Sequence, residues 1–109
     1  MFPPPVPSVG PAEVADGVAI LDVRELDEWE AGHIPGALHI PLGQLTARVG
    51  ELPPGEVVVV CRSGGRSGQA VAWLNESGRQ TVNLEGGMQS WSVAGRPMTG
   101  ASGQPPFVR

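Results

Sequence analysis

The sequence contains no lysine and only one cysteine among its 109 residues. All seven basic residues are arginine, against eleven acidic residues, so the net charge is −4. A broad basic surface for nucleic acid is therefore not expected. A lone cysteine can form neither an internal disulfide nor a cysteine-rich zinc site. Cys61 must act as a single thiol or as a packing residue.

Long hydrophobic runs are also missing. The longest aliphatic stretch, Val57 to Val60 continued by Cys61, is far shorter than the ~20 residues that a membrane-spanning helix needs. Met1 to Val9 has no basic residue and is interrupted by prolines, which does not fit a signal peptide. The sequence therefore predicts a cytoplasmic protein with no membrane partner.

The composition fits one small folded domain. The chain has 16 glycines and 12 prolines, but it is 40% hydrophobic and only 17% charged, which favours a folded core. Five prolines fall within the first eleven residues, and the segment after Pro97 shows no periodicity. We predict a proline-rich segment over residues 1–7, a folded domain over 8–97 and a loose tail over 98–109.

Short apolar runs alternate with helical patterns along the domain. Strands are predicted at 18–23, 37–40, 57–60 and 80–84, and helices at 11–15, 25–31, 42–49, around 70–74 and at 88–94. This alternation predicts an α/β fold with a mostly parallel central sheet of about five strands and helices on both faces. Trp29, Trp73 and Trp91 fall on apolar helical faces and are predicted to be core residues.

Cys61 ends the most strand-like segment and is followed directly by R-S-G-G-R-S-G, which opens into a helix. Ligands of open α/β sheets bind at the carboxyl ends of strands. Gly64 and Gly65 let the backbone curl, so that unpaired N–H groups at the helix start can attract an anion. Arg62 and Arg66 add positive charge on either side.

A thiol at the centre of such a loop should have a lowered pKa, because the amides and arginines stabilise the thiolate. Ser63 and Ser67 could donate hydroxyl hydrogen bonds to the same anion or cap the following helix. The alternative is that Cys61 is a small buried hydrophobic residue at a strand end.

The sequence C-R-S-G-G-R-S over residues 61–67 resembles the active-site loop of the rhodanese family of sulfurtransferases. D-V-R-E-L-D-E-W-E-A-G-H-I-P-G-A over 22–37 and L-E-G-G-M-Q-S-W-S-V-A-G-R-P over 84–97 resemble the family's opening and closing signatures, in the same order. The resemblance covers roughly residues 8–97 and implies a single rhodanese-like domain.

The resemblance implies that Cys61 accepts sulfane sulfur from a small donor, such as thiosulfate or a persulfide, and passes it from a Cys61 persulfide to cyanide or a thiol. Backbone N–H groups of residues 62–67 would stabilise the negative charge, as in an oxyanion hole. Arg62 and Arg66 are the candidates to receive the anionic donor. The chemistry needs no metal and no organic cofactor.

Four further signature residues are predicted to support this loop without reacting. Asp22 and Arg24 end a buried strand, where Asp22 would accept hydrogen bonds near the loop and Arg24 would pair with Glu28. His33 is interpreted as a turn residue, because a thiolate that is already formed needs no general base. His39, outside these signatures, and the pair Gly86–Gly87 are assigned no chemical role.

Two other function classes remain open. Cysteine-dependent phosphatases and arsenate reductases have five residues between the cysteine and the arginine, whereas four separate Cys61 from Arg66. The shorter loop makes a tighter cradle, suited to a sulfur atom and cramped for a phosphate. A non-catalytic binding or sulfur-carrier module is the second alternative, although inactive members of such families commonly lose the cysteine that this chain keeps.

Overall fold

A five-stranded parallel sheet forms the centre of the protein in the computed structural model, which describes residues 6–109. Residues 1–5, most of the predicted proline-rich segment, lie outside the described residues. The sheet order is β1-β5-β4-β2-β3, and every pairing is parallel, which confirms the predicted fold class. The strands are β1 (Ser8–Val9), β2 (Ala19–Asp22), β3 (Leu38–His39), β4 (Val57–Val60) and β5 (Thr81–Leu84).

Three α-helices connect successive strands from β2 onward, a fourth follows β5, and short 3-10 turns lie between β1 and β2 and on either side of the second helix. The α-helices are α1 (Leu26–Ala31), α2 (Leu45–Arg48), α3 (Gly65–Glu76) and α4 (Gly87–Val93), and the 3-10 turns are Pro11–Glu13, Leu42–Gln44 and Val49–Glu51. The helix predicted over 42–49 is thus divided, with only one α-helical turn between two 3-10 turns. Over residues 6–109, no helix has the length and apolar character required to cross a bilayer.

Strand β4 lies in the middle of the sheet and is buried on both faces. Because side chains alternate along a strand, Val57, Val59 and Cys61 pack with residues of α2 and α3. Val58 and Val60 pack on the opposite face with residues of α4. The continuous valine run is therefore what a central parallel strand between two helical layers requires.

Strand β1 has no counterpart among the strands predicted above. Ser8 pairs with Asn83, and Val9 pairs with Leu84, at the edge of the sheet beyond β5. A strand of two residues is too short to show an alternating pattern, so only its tertiary pairing reveals it.

The three tryptophans are not equally buried. Trp91 is a core residue, and its indole N–H donates to the Pro97 carbonyl at 2.8 Å. Trp73 is half-buried against the α2–α3 layer. Trp29, predicted to be core, is also half-buried, and its indole stacks on the imidazoles of His33 and His39, with ring centroids 3.6 and 4.8 Å away.

The segment after Pro97, expected to be a loose tail, runs along α1. Thr99 and His33 exchange two backbone hydrogen bonds of 2.8 and 2.9 Å, and the Phe107 N–H donates to the Ala31 carbonyl at 3.1 Å. The last carbonyls of a helix have no partner within the helix. The segment after Pro97 supplies a partner for the Ala31 carbonyl at the end of α1. The sequence pattern of that segment alone does not reveal this contact.

A fully buried ion pair closes the carboxyl end of β2. Arg24 donates to Asp22 at 2.7 Å through Nη2 and at 3.0 Å through Nε. The same guanidinium donates to the main-chain carbonyls of Gly32 and Glu28 at 2.8 and 3.2 Å. The expected pairing of Arg24 with the Glu28 carboxylate is therefore wrong, since the Asp22 carboxylate binds the guanidinium and Glu28 contributes only its main-chain carbonyl.

We expect Arg24→Met to lower the free energy of unfolding by about 3–5 kcal/mol, because it leaves the Asp22 carboxylate buried without its counter-ion. Urea unfolding measures the change. Arg48→Met is the matched control, since Arg48 pairs with Glu51 at the surface and its loss should leave the urea midpoint nearly unchanged. Equal effects of the two substitutions would contradict this assignment.

Candidate active site

The carboxyl end of β4 lies at the point where the sheet topology reverses. From β2 the chain crosses to β3 on one side, whereas from β4 it crosses to β5 on the other. In open parallel sheets, a crevice forms at this switch point and holds the ligand. Cys61 follows β4 directly and is only 1% exposed.

Two donors reach the Cys61 sulfur from the predicted loop. The Gly64 N–H donates to Sγ, with a nitrogen–sulfur distance of 3.0 Å, and the Ser67 hydroxyl lies 3.2 Å from Sγ. Gly64 adopts a left-handed conformation, φ +112°, that glycine accommodates without a Cβ penalty. This turn wraps the backbone around the sulfur just before α3 begins at Gly65.

Burial raises the pKa of the Cys61 thiol, but hydrogen bonds oppose it. The Ser67 hydroxyl lowers the pKa, as do the nearby backbone N–H groups of Ser67, Gly64 and Ser63, and the net effect is a pKa below the ordinary value. Cys61 is thus both a buried side chain in the α2–α3 layer and a sulfur surrounded by donors. Packing alone does not account for these hydrogen bonds.

The start of α4 fixes the orientation of the loop peptides. The Met88 N–H donates to the Cys61 carbonyl at 2.8 Å, and the Gln89 N–H donates to the Arg62 carbonyl at 3.0 Å. In a trans peptide, the N–H points away from the carbonyl of the same unit. The N–H groups of Arg62 and Ser63 are therefore turned away from α4.

Gly87 allows this close approach, a role that the sequence analysis missed. Its φ is +60°, and a Cβ built on it would lie 2.4 Å from the Cys61 carbonyl oxygen. The signal was present as two consecutive glycines between a strand and a helix, which is compatible with close backbone contact as well as with a simple turn.

Asn83, on β5, is a second residue that the sequence analysis missed. Its Oδ1 lies 2.5 Å from the Ser67 hydroxyl oxygen, and its Nδ2 donates to the Gly64 carbonyl at 3.2 Å. Asn83 thus contacts both residues whose donors reach Sγ directly. The available signal was an amide within the otherwise apolar end of a strand, where a buried polar group needs partners.

The two loop arginines differ in their surroundings. Arg66 donates to both carboxylate oxygens of Glu28, at 2.7 and 2.8 Å. Hydrogen bonding from Arg66 lowers the pKa of Glu28 to about 2, and the same pair raises the pKa of Arg66. Arg62 is exposed and donates to the main-chain oxygen of Arg109 at 3.0 Å.

The predicted supporting residues separate into two places. Glu28 lies beside the loop through Arg66, whereas the side chains of Asp22, Arg24 and His33 are bonded around α1. Nδ1 of His33 lies 2.7 Å from the Trp29 carbonyl, consistent with a turn residue. Exposed Ser63 and Gly65 line the outer side of the loop. Within residues 6–109, no cluster of three His, Cys, Asp or Glu side chains is arranged to hold a metal ion.

Comparison with known proteins gives one consistent family. Residues 11–94 match the family model of the rhodanese-like domain. A protein named "Sulfurtransferase" from Allochromatium vinosum is 38% identical over 90 residues, covering 81% of this chain and 84% of that protein.

The relatives include proteins of different length. "Putative sulfur carrier protein YrkF" of Bacillus subtilis is 40% identical over 79 residues, which is 71% of this chain but only 43% of YrkF. The crystal structure of a rhodanese-related protein from Thermoplasma volcanium superposes with a TM-score of 0.81 at 33% identity, covering 85% of this chain and 97% of that one. The match therefore extends through the fold as well as the loop.

Gly87→Ala is expected to raise the thiol pKa of Cys61 and to destabilise the fold, because the new methyl group displaces α4 from the loop carbonyls. The pH dependence of Cys61 alkylation and urea unfolding measure the two effects. Gly78→Ala is the matched control, since Gly78 has φ +91° but no neighbour within 4 Å of the added Cβ. Gly78→Ala should lower the free energy of unfolding only by the left-handed backbone penalty, about 1–2 kcal/mol, and should leave the thiol pKa of Cys61 unchanged. A thiol pKa that Gly87→Ala leaves unchanged would refute the positioning role of α4.

Glu28→Gln should destabilise the protein at neutral pH but not at strongly acidic pH. The folded-state pKa of Glu28 is depressed from 4.5 to about 2, so the carboxylate contributes stability above pH 4.5 and loses it as the pH falls through about 2. Urea unfolding of both proteins across this range should show the difference disappearing. A difference that is constant with pH would mean that the ion pair with Arg66 is not its source.

Proposed function

The chain belongs to the rhodanese-like domain family, and we propose that it is a sulfurtransferase that carries sulfane sulfur as a Cys61 persulfide. The observation that carries the proposal is the sulfur of Cys61 held at 3.0 Å from the Gly64 N–H and 3.2 Å from the Ser67 hydroxyl. Fixed donors favour the thiolate, which is the nucleophilic form of cysteine. The sulfurtransferase named among the relatives supports the same reaction class.

In the first step, the Cys61 thiolate attacks the outer sulfur of thiosulfate. A sulfur–sulfur bond forms to Sγ, the bond within thiosulfate breaks, and sulfite leaves with the electron pair. In the second step, cyanide or a thiolate attacks the outer sulfur of the persulfide, and the Cys61 thiolate is the leaving group. Charge and atoms balance in each step, so the cycle requires no metal, oxidant or organic cofactor.

Arg62 is the arginine that we assign to the incoming anionic donor. Its side chain is exposed at the loop, and within residues 6–109 it forms no ion pair with an aspartate or glutamate side chain. Arg66 instead donates two hydrogen bonds to the Glu28 carboxylate. Its contribution is to fix the loop against α1. Both arginines were predicted to receive the donor, and the ion pair favours dividing these roles.

The same ion pair argues against a phosphatase or an arsenate reductase. Those enzymes need the loop arginine to bind the oxyanion, whereas here a carboxylate holds the Arg66 guanidinium through two hydrogen bonds. A sulfur-carrier role, in which Cys61 keeps the persulfide for a protein acceptor, uses the same first step. The name of YrkF favours that as the second candidate.

Incubation with thiosulfate under non-reducing conditions should add the mass of one sulfur atom at Cys61, and subsequent cyanide should remove it as thiocyanate. Cys61→Ser should abolish both events without unfolding the domain, because the chain has no other cysteine. Intact mass measures the adduct, peptide mapping locates it at Cys61, and thiocyanate release measures its removal by cyanide. Phosphatase turnover with no sulfur adduct would overturn the proposal, and an adduct that only a protein acceptor removes would favour the carrier.

A further inference from the structure

The Ser67 hydroxyl has two acceptors within reach. Its oxygen lies 2.5 Å from Asn83 Oδ1 and 3.2 Å from Cys61 Sγ, and the Ser67 side chain is fully buried. A hydroxyl group has one proton and can direct it at one acceptor at a time. The persulfide cycle described above explains why Ser67 faces the sulfur, but it does not explain the asparagine.

The orientation of the Asn83 amide follows from its other contact. Nδ2 lies 3.2 Å from the Gly64 carbonyl, which can only accept a hydrogen bond. Reversing the amide would bring two carbonyl oxygens together, so Oδ1 must face Ser67. Both neighbours of the Ser67 proton are therefore acceptors, and the charge on Sγ decides which of them is stronger.

We propose that Asn83 is a positioning residue that holds the Ser67 proton while the Cys61 sulfur is uncharged and releases it to Sγ when that sulfur becomes a thiolate. A charged acceptor forms a stronger hydrogen bond than a neutral one. The Ser67 hydroxyl therefore rotates towards Sγ when the thiolate forms. In the persulfide, Sγ is neutral and the charge lies on the outer sulfur, so the hydroxyl returns to Asn83. That last stage rests on the proposed sulfurtransferase function, whereas the first needs only the thiol.

Asn83 consequently opposes ionisation of Cys61, because its carbonyl stabilises the states in which Sγ is uncharged. Without this acceptor, the Ser67 hydroxyl has only the sulfur to bind, and the thiolate is favoured. The Gly64 carbonyl would keep its other hydrogen bond, from the Gly68 N–H at 3.0 Å. The turn that presents the Gly64 N–H to sulfur thus retains a backbone partner when Asn83 is replaced.

Charged groups around the sulfur do not depend on Asn83. Helix α3 supplies Arg66, which Glu28 of α1 holds, and the neighbouring strand β2 ends in the Asp22–Arg24 pair. Met88 and Gln89, which α4 directs at the loop carbonyls, are uncharged. A change in the thiol pKa on replacing Asn83 with an uncharged residue therefore does not come from a change in these charges.

Asn83→Leu, which removes both polar atoms at similar size, should lower the Cys61 thiol pKa by about 0.5 to 1 unit, the shift expected for one neutral hydrogen bond. The pKa is measured as the midpoint of the pH dependence of iodoacetamide alkylation, for which Cys61 is the single site in the chain. Ser67→Ala alone should raise the pKa. The double variant Asn83→Leu/Ser67→Ala should have the same thiol pKa as Ser67→Ala alone.

Asn83→Asp provides the opposite change at the same position. An ionised carboxylate attracts the Ser67 proton more strongly than an amide carbonyl does, so the thiol pKa should rise. The rise should be smaller in the Ser67→Ala background, where only the direct charge acts on the sulfur. Near-ultraviolet circular dichroism establishes that each variant is folded before its thiol is titrated.

A higher pKa in Asn83→Leu, or an equal shift with and without the Ser67 hydroxyl, would show that Asn83 acts through the Gly64 carbonyl and would overturn the proposal. If Asn83→Leu does not fold, Asn83→Asp provides the test. A thiol pKa that does not rise in Asn83→Asp, or that rises equally with and without the Ser67 hydroxyl, would contradict the proposal. Alkylation requires no sulfur donor or acceptor. Loss of the proposed sulfur transfer would therefore leave this test readable, and the two failures are distinguishable.

Discussion

The constraint on which the site depends is that a sulfur atom almost completely removed from water must still be able to carry a negative charge. Burial by itself opposes that charge, so hydrogen-bond donors have to lie within reach of the sulfur when the thiol ionises. The Gly64 N–H and the Ser67 hydroxyl meet this need, and two other segments contact the loop that carries them. Helix α4 binds the loop carbonyls on one side, and Asn83 contacts Gly64 and Ser67 on the other.

Charge around the loop is arranged for rigidity as much as for attraction. The guanidinium of Arg66 is bound to Glu28, and that of Arg24, which lies around α1, is bound to Asp22. These pairs tie β2 and α3 to α1, and the returning segment after Pro97 adds backbone hydrogen bonds to the end of the same helix. Arg62 lies at the surface and is the arginine that the proposed function assigns to the incoming donor.

Much of this arrangement is readable from local sequence. Four consecutive valines predict a central strand, and a cysteine followed by a glycine-bearing loop predicts donors around a thiol, because both are properties of neighbouring residues. The partner of Arg24 could not be read in this way, since Asp22 and Glu28 are both close along the chain. Trp29 was likewise predicted to be core but is half-buried, because helical spacing does not show that its indole stacks on two histidines and not on the apolar core.

The sequence by itself determined the α/β class, the strand that ends at Cys61 and the type of loop that surrounds its sulfur. Only the tertiary structure decided that Asn83 and the start of α4 hold that loop, that Glu28 binds Arg66, and that β1 completes the sheet. The physical reason is distance along the chain. Periodicity and turn preferences act over a few residues, whereas these contacts join segments whose approach depends on the packing of the whole domain.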